Sequence, residues 1–385
     1  MKDLQIARIS ARDAKGVSDH LMNLRAIVCQ KEDTYPGIDK WFDKRVVGGL
    51  SAASRVAYVG YVDGVPAAAV IVKLGLDTKL CHINVRPDLR GTGVGEILLS
   101  LVTLEAKSTA SSMHVTFPES LWSAKNGFFT SFGFSDVQRA KKQYRLFDEE
   151  LSSRTSFSNI WTSVLKKIPK LAEKFSLAGA SMSGGVLFSI RPEFGEMIMR
   201  GSKTVEIRRR FSKAWKGQRA VFYAGEPTGA LLGQADIVGV HEGSPKNIWK
   251  RFSGRIGCGL DYYNDYVRGC ESVFAIELNC VSPLMEPVYS SVLSRYTSRA
   301  LSPPQSYVAL TDQQGWSEAV SISAMLQCLH KRIRVFENAV HHSATKPKFP
   351  STKIAAECAP TCWYSELDLF EQGGESWGSP HNTTK

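Results

Sequence analysis

The run Asn84-Val85-Arg86-Pro87-Asp88-Leu89-Arg90-Gly91-Thr92-Gly93-Val94-Gly95 constrains what this chain can fold into more than any other feature. Before it, Thr78 to Val85 reads as a strand. After it, Val94, Ile97, Leu98, Leu101, Val102 and Leu104 recur at three- and four-residue steps, the spacing of a helix. A strand that stops at a glycine-rich turn and opens a helix leaves backbone N–H groups unpaired, with the positive end of the helix dipole behind them. Such a turn suits phosphate. Gly91, Gly93 and Gly95 lack the Cβ atoms that would hold a pyrophosphate off the backbone, and Arg90 adds a fixed positive charge.

The residues upstream decide between folds that use such a turn. Arg55–Val62 and Val65–Leu74 are strand-like and flank Asp63-Gly64, a pair that accepts the positive φ angles of a type I′ turn. With Thr78–Val85 they predict an antiparallel meander. A dinucleotide site needs a parallel βαβ unit instead, so the hairpin argues against that reading. Downstream, a strand at Met113–Phe117 and a helix from Pro118 to Phe132 complete a mixed α/β pattern.

The spacing VxPxxRGxGxG, after a meander and before an amphipathic helix, resembles the coenzyme A loop of GNAT-type N-acetyltransferases. Phe128-Phe129-Thr130-Ser131-Phe132-Gly133-Phe134 resembles the FYxxxGF segment near the end of that fold. The resemblance covers roughly residues 3–147. It implies acetyl-coenzyme A as cosubstrate, with Ile83 and Val85 pairing with the pantetheine arm and Arg90, Gly91, Thr92, Gly93, Val94 and Gly95 forming the phosphate cradle. It also implies that the Val85 N–H holds the developing oxyanion. Two features depart from the family pattern. Phe129 stands where many members carry a tyrosine that protonates the leaving thiolate, and Lys79-Leu80-Cys81-His82-Ile83-Asn84-Val85 has no carboxylate base. His82 is the nearest titratable candidate base, with a structural histidine as the alternative. Strand alternation puts Cys81 on the opposite face, as core.

At 385 residues, with 43% hydrophobic and 22% charged side chains, the chain is long enough for two or three globular domains. We assign residues 1–147 to the first domain and 148–184 to a linker. The linker contains an amphipathic segment (Ile160, Val164, Leu165, Ile168, Leu171) and a flexible Ala178–Gly185 stretch. Residues 185–310 form a second domain and 311–385 an irregular tail, apart from a helix near Glu318–Phe336. Net charge is +11, and residues 151–310 carry most of it, with 21 basic and 12 acidic side chains. That excess points to a polyanion, with a solvated basic surface as the alternative.

Within this second domain, Lys203-Thr204-Val205-Glu206-Ile207-Arg208 alternates with period two. Val205 and Ile207 fall on a core face, and Glu206, Arg208 and Arg210 on a charged one. Basic residues follow, interleaved with Phe211, Trp215, Phe222 and Tyr223, a mixture that can hold phosphates and stack bases. Gly201 to Arg208, GSKTVEIR, matches GxKxxExR, the signature of the ASCH domain of the PUA-like superfamily, which is associated with RNA binding. The resemblance implies a ligand cleft lined by Lys203, Glu206 and Arg208, to which Arg210 and Tyr223 are added as basic and stacking contributors. Some small ASCH proteins hydrolyse acetylated cytidine through a Lys and a Thr three residues later. Here that later position is Glu206, so this activity does not carry over.

The expected fold class is therefore α/β (α+β): a GNAT-type mixed, mostly antiparallel sheet with helices on both faces, linked to a PUA-like small β-barrel with short helices. The expected function is transfer of an acetyl group from acetyl-CoA to an amine, directed to RNA or a nucleotide-containing acceptor. Two alternatives stay open: an acetyltransferase of a protein or small amine with a regulatory second domain, and a nucleic-acid-binding regulator that senses acyl-CoA without turnover. Eight scattered cysteines without a CxxC pair read as free thiols, and His341-His342 with Cys358 and Cys362 are too loosely spaced for zinc, so no metal is assigned. The absence of a leader or a long apolar run predicts a cytoplasmic protein without a membrane partner.

Overall fold

The computed structural model describes residues 2–16, 18–30, 35–143, 145, 148–175, 185–297, 299–330 and 332–335. Strand β1 (Lys2–Arg8) leads into helix α1 (Ala11–Lys15), which starts on a capping box: the Asp13 N–H donates to the Ser10 hydroxyl, and the Ser10 N–H donates to the Asp13 carboxylate. Helices α2 (Asp19–Cys29), α3 (Ile38–Trp41) and α4 (Gly48–Ser51) follow. Strands β2 (Arg55–Val62) and β3 (Val65–Lys73) then form the expected hairpin, with Asp63 and Gly64 at φ of 51° and 80°. Both positive angles match the right-handed twist of the strands they join.

Next come β4 (Asp77–Val85), α5 (Val94–Ala106), β5 (Ser112–Pro118), α6 (Glu119–Thr130), β6 (Val137–Arg139), β7 (Glu150–Ser156) and α7 (Phe157–Lys174). Within this part the strand order is β1-β2-β3-β4-β5-β7-β6, and β4 with β5 is its parallel pair. Helices α2 to α4 cover one face through Leu24, Ile27, Ile38 and Leu50, with Phe42 and Val46 of the π-helical turn between α3 and α4. Helices α5 and α7 and the end of α6 cover the other through Ile97, Leu101, Phe129 and Ile160. This is the GNAT-like sheet with helices on both faces.

The second sheet is built from β8 (Val186–Ile190), β9 (Val205–Arg208), β10 (Arg219–Ala224), β11 (Ala230–Gly243), β12 (Val273–Tyr289) and β13 (Tyr307–Ala309), in the order β13-β8-β10-β11-β12-β9. Three register shifts along the β11–β12 ladder curl it into a half-barrel. Helix α8 (Pro192–Met199) follows β8. Helices α9 (Pro245–Ile256) and α10 (Leu260–Val267) pack Ile248, Phe252 and Tyr263 against Val205 and Ile207 of β9, and α11 (Ser290–Leu293) follows β12.

The helix expected near Glu318–Phe336 forms as α12 (Gln314–His330), but the end of that range does not continue it: Ile333–Val335 forms β14, which pairs antiparallel with β1 and adds an eighth strand to the first sheet. Helix α12 is buried nearly all round, polar Glu318, Ser321, Ser323 and Gln327 included, so it lacks the two-faced pattern that marks a surface helix in a sequence. Trp316 packs edge-on against Tyr223 of β10, ring centroids 5.0 Å apart, and its indole N–H donates to the Ser302 carbonyl at 2.9 Å. Both sheets contribute to this core, and the described residues belong to one compact unit. Residues 178–184 of the glycine-containing stretch, and His341, His342, Cys358 and Cys362, lie outside the described residues. No described helix is long and apolar enough to cross a membrane.

Candidate functional site

The ladder between β4 and β5 runs from Asp77–Ser112 to Leu80–Val115 and stops there, although both strands continue. Its closed end is clamped by Asp77. The carboxylate takes the Ser112 hydroxyl at 2.7 Å, His114 Nδ1 at 2.9 Å and Arg154 at 2.8 Å, so one side chain ties β4, β5 and β7 together. Burial works against the Asp77 charge, but these partners outweigh it and hold the carboxyl below its ordinary range. Burial depresses His114 more than Asp77 raises it.

Beyond Leu80 the strands part, and Ile83 and Val85 lie on the diverging stretch of β4, their side chains packed towards α5. The loop then turns through a short 3-10 segment, Pro87–Leu89, into α5. Gly91 and Gly93 take φ of 76° and 100°, angles that favour glycine, and Gly93 caps α5 without a side-chain bond of its own. Gly95 lies in the first turn of α5. A Cβ there would stand 3.3 Å from the Phe128 ring and 3.7 Å from Val85, so the helix start, α6 and the end of β4 converge at that point.

The remaining loop residues have separate duties. The exposed Arg90 guanidinium turns back and donates from Nε to the Val85 carbonyl at 3.1 Å. Thr92 is buried, and its hydroxyl donates to the Leu89 carbonyl at 2.5 Å. The Val94 side chain is core, so only its backbone can face a ligand. Arg86 and Lys2 both pair with Asp88 and hold the outer turn in place.

At Cys81 the β3–β4 register shifts, which breaks the alternation assumed from the sequence. Leu80, Ile83 and Val85 pack with the α5 cluster, whereas Cys81 packs with the α1–α4 cluster, its sulfur 2.9 Å from an Arg55 guanidinium nitrogen. Cys81 and His82 are therefore not simply on opposite faces. Phe129 is 2% exposed and stacked on Phe117 at 5.0 Å, so an apolar contact occupies the position of the family's tyrosine. A carboxylate not found from the sequence comes from β7: Glu150, opposite Pro118 of β5, is 1% exposed and paired with Arg145. Burial raises its pKa, and Arg145 offsets part of that rise.

A second site lies in the half-barrel, where a cavity of about 170 Å³ is bordered by Lys203, Glu206, Arg208, Phe194, Cys258 and Tyr262, among others. Glu206 lies 3.2 Å from the Lys203 ammonium and 3.0 Å from Arg208 Nε. All three residues are buried, unlike the solvated pair that period-two alternation also permits. Besides the pairing with Glu206, Lys203 donates to the carbonyls of Val205 and Ile256, which uses all three of its protons. Arg208 also reaches Ser306 and the Ser189 carbonyl. The cations are thus largely satisfied by the protein itself.

At the mouth, exposed Arg191 lies 5.6 Å from the centre of the Tyr262 ring, and Phe194 meets Tyr262 edge-on. Burial raises the pKa values of Cys258, Tyr262 and Tyr266, and takes Tyr263 up to about 12. Arg210 is exposed and does not border the cavity. Tyr223 lies away from it as well, 1% exposed against Trp316, because a covering helix makes core of a strand face that alternation alone leaves open.

Residues 188–282 match the ASCH domain family. An ASCH domain-containing ribonuclease from Zymomonas mobilis is 28% identical over 141 residues, covering 37% of this chain and 93% of that protein. The crystal structure of ASCH from Zymomonas mobilis is 28% identical over 36% of this chain and 94% of its own, with a TM-score of 0.33. The structure of an acetyltransferase of the GNAT family from Streptococcus pneumoniae is 14% identical over 40% of this chain and 99% of its own, with a TM-score of 0.30. The family match thus falls on the half-barrel and includes the Lys203–Glu206–Arg208 group.

Proposed function

We propose that the chain is an acetyl-CoA-dependent N-acetyltransferase whose ASCH domain directs it to RNA or a nucleotide-containing acceptor. The observation that carries this reading is the parting of β4 from β5 directly upstream of a glycine-capped helix start. Such a gap leaves a strand edge for an extended, amide-bearing arm, and the loop offers N–H groups and a helix dipole to a pyrophosphate. Gly95 lets α5, α6 and the end of β4 pack closely at the base of the loop. The residues present therefore fit coenzyme A.

When bound, acetyl-CoA supplies an activated thioester. The protein's own work is to orient an unprotonated amine, take up its proton and hold developing negative charge with a backbone donor such as the Val85 N–H. His82 and Glu150 are the proton acceptors to test. A relative whose name includes ribonuclease supports RNA as the partner of the second site, where Arg191 over Tyr262 suits an anionic ligand with a flat ring.

The buried Phe129 favours one second reading, an acyl-CoA sensor without turnover, because no hydroxyl is available there for the leaving thiolate. Labelled acetyl-CoA incubated with RNA, protein and metabolite fractions separates the readings, since a sensor binds the cofactor and labels none of them. Arg90→Ala, at an exposed position, and Gly93→Asp, whose Cβ would press on Leu171 and Phe175 and displace the cap, are expected to weaken coenzyme A binding about tenfold or more in calorimetry. Unchanged affinity in both variants would remove the cofactor assignment.

A further inference from the structure

Helix α7 follows the last strand of the first sheet and is no part of the strand-loop-helix unit that forms the cradle. Yet its last turn ends on that loop. Lys174 Nζ donates to the Gly91 carbonyl at 3.2 Å, and a Cβ at Gly93 would meet Leu171 and Phe175 at 3.0 and 3.1 Å. Lys167, Lys170 and Lys174 follow one another at steps of three and four, so they share one face of the helix. At the far end of this row the Lys167 ammonium lies 4.8 Å from the centre of the Phe132 ring. Phe132 is 5.4 Å from Phe128, the ring that meets Gly95.

The two ends of the row therefore touch both walls of the cradle: the glycine loop through Lys174 and the end of α6 through Lys167. Lys170 stands exposed between them, about 6 Å along the axis from Lys174. Glu173 is the carboxylate on the same turn, about 100° round the helix from Lys174. None of the three lysines is ion-paired among the described residues. Like charges one turn apart repel, so such a row is stabilised when an anion bridges it.

We infer that Lys167, Lys170 and Lys174 form a wall that binds the 3′-phosphate of coenzyme A and makes the cradle selective for the 3′-phosphorylated cofactor. The inference rests on the cofactor reading above. The pyrophosphate takes the loop N–H groups, while the 3′-phosphate, further along the same molecule, needs cations beyond the loop. Helix α7 supplies them one turn from Gly91.

The test compares coenzyme A with dephospho-coenzyme A, which differs only in that phosphate, by calorimetry on the full chain at low salt. The wild type is expected to prefer coenzyme A by about tenfold, and Lys170→Ala, which leaves the Lys174 contact with the loop in place, to lose most of that preference while binding dephospho-coenzyme A as before. The substitution is in an exposed position, and an unchanged melting curve shows that the fold is kept. Equal binding of the two ligands by the wild type overturns the inference but leaves the cofactor reading standing. So does a variant that weakens both ligands alike, or one that loses RNA binding and keeps the preference. If the wild type binds neither ligand, the cofactor reading fails and takes the inference with it.

Discussion

At the scale of single residues, the Lys203–Glu206–Arg208 group shows how a sequence signature can state an environment without stating its energetics. The spacing brings the three charges together, as read from the sequence, but burial changes what they do. A buried ion pair is costly to form and more costly to break, because removing one partner strands the other in a medium that solvates it poorly. Glu206 answers two cations at once. Glu206→Gln is therefore expected to destabilise the protein by roughly 3–5 kcal/mol, read from urea unfolding of the full chain. A loss below about 1 kcal/mol would mean that the group is solvated and behaves as a surface pair. On the proposed function, ligand contacts then fall more to Arg191 and Tyr262 than to the two buried cations. The sequence could not assign Arg191 this place, because it lies outside the signature, just ahead of α8, and reaches the cavity only through the fold.

At the scale of elements, local chemistry was legible and docking was not. Asp63-Gly64 and the Gly93 cap follow from φ angles that few residues tolerate, so their sequence alone identifies them. The break in alternation at Cys81 depends on how β3 and β4 align, and no residue there announces it. Asp77 is a further case, an ordinary acid in sequence that joins three strands just below the gap. Its carboxyl pKa is lowered in the folded state, so the stability it adds is present above the unfolded value, near 4, and is lost as pH falls through the folded value. Asp77→Asn should therefore lower the melting temperature by a few degrees at pH 7, and the gap to wild type should close towards pH 3. A gap that stays constant over that range would mean that the clamp acts through hydrogen bonding alone. Because β4 and β5 part only two or three residues beyond the clamp, the same variant checks whether the closed end is what keeps the gap in register.

At the scale of the whole molecule, the two sheets are bound by residues from the far end of the described chain. Composition suggested a linker and a tail; the folded chain uses the linker helix α7 as a cover for the cradle and α12 with β14 as shared core and edge strand. Neither role is visible locally, since each depends on a surface distant in the sequence, 83 residues away for the Lys174–Gly91 contact. One consequence bears on how RNA binding should be tested. A fragment of residues 185–310 would expose Tyr223 and Leu231, which are 1% exposed in the intact protein, so its RNA affinity would report on a damaged surface. The full chain is the proper subject. Three exposed guanidinium groups belong to this half of the molecule: Arg191, which borders the second cavity, and Arg209 and Arg210, which directly follow β9, with Arg209 stacked on Tyr266 at 4.8 Å. If each contacts one phosphate of single-stranded RNA, log affinity should fall with log salt at a slope of about −2, a loss of roughly twentyfold between 50 and 200 mM. Replacing Arg209 and Arg210 by alanine should flatten that slope to about −0.7, whereas loss of a base-stacking residue such as Tyr262 should weaken binding at every salt concentration and leave the slope alone. A flat response in the wild type would return the basic excess to the solvated surface that charge counting left open, and would leave the half-barrel cavity to a neutral ligand.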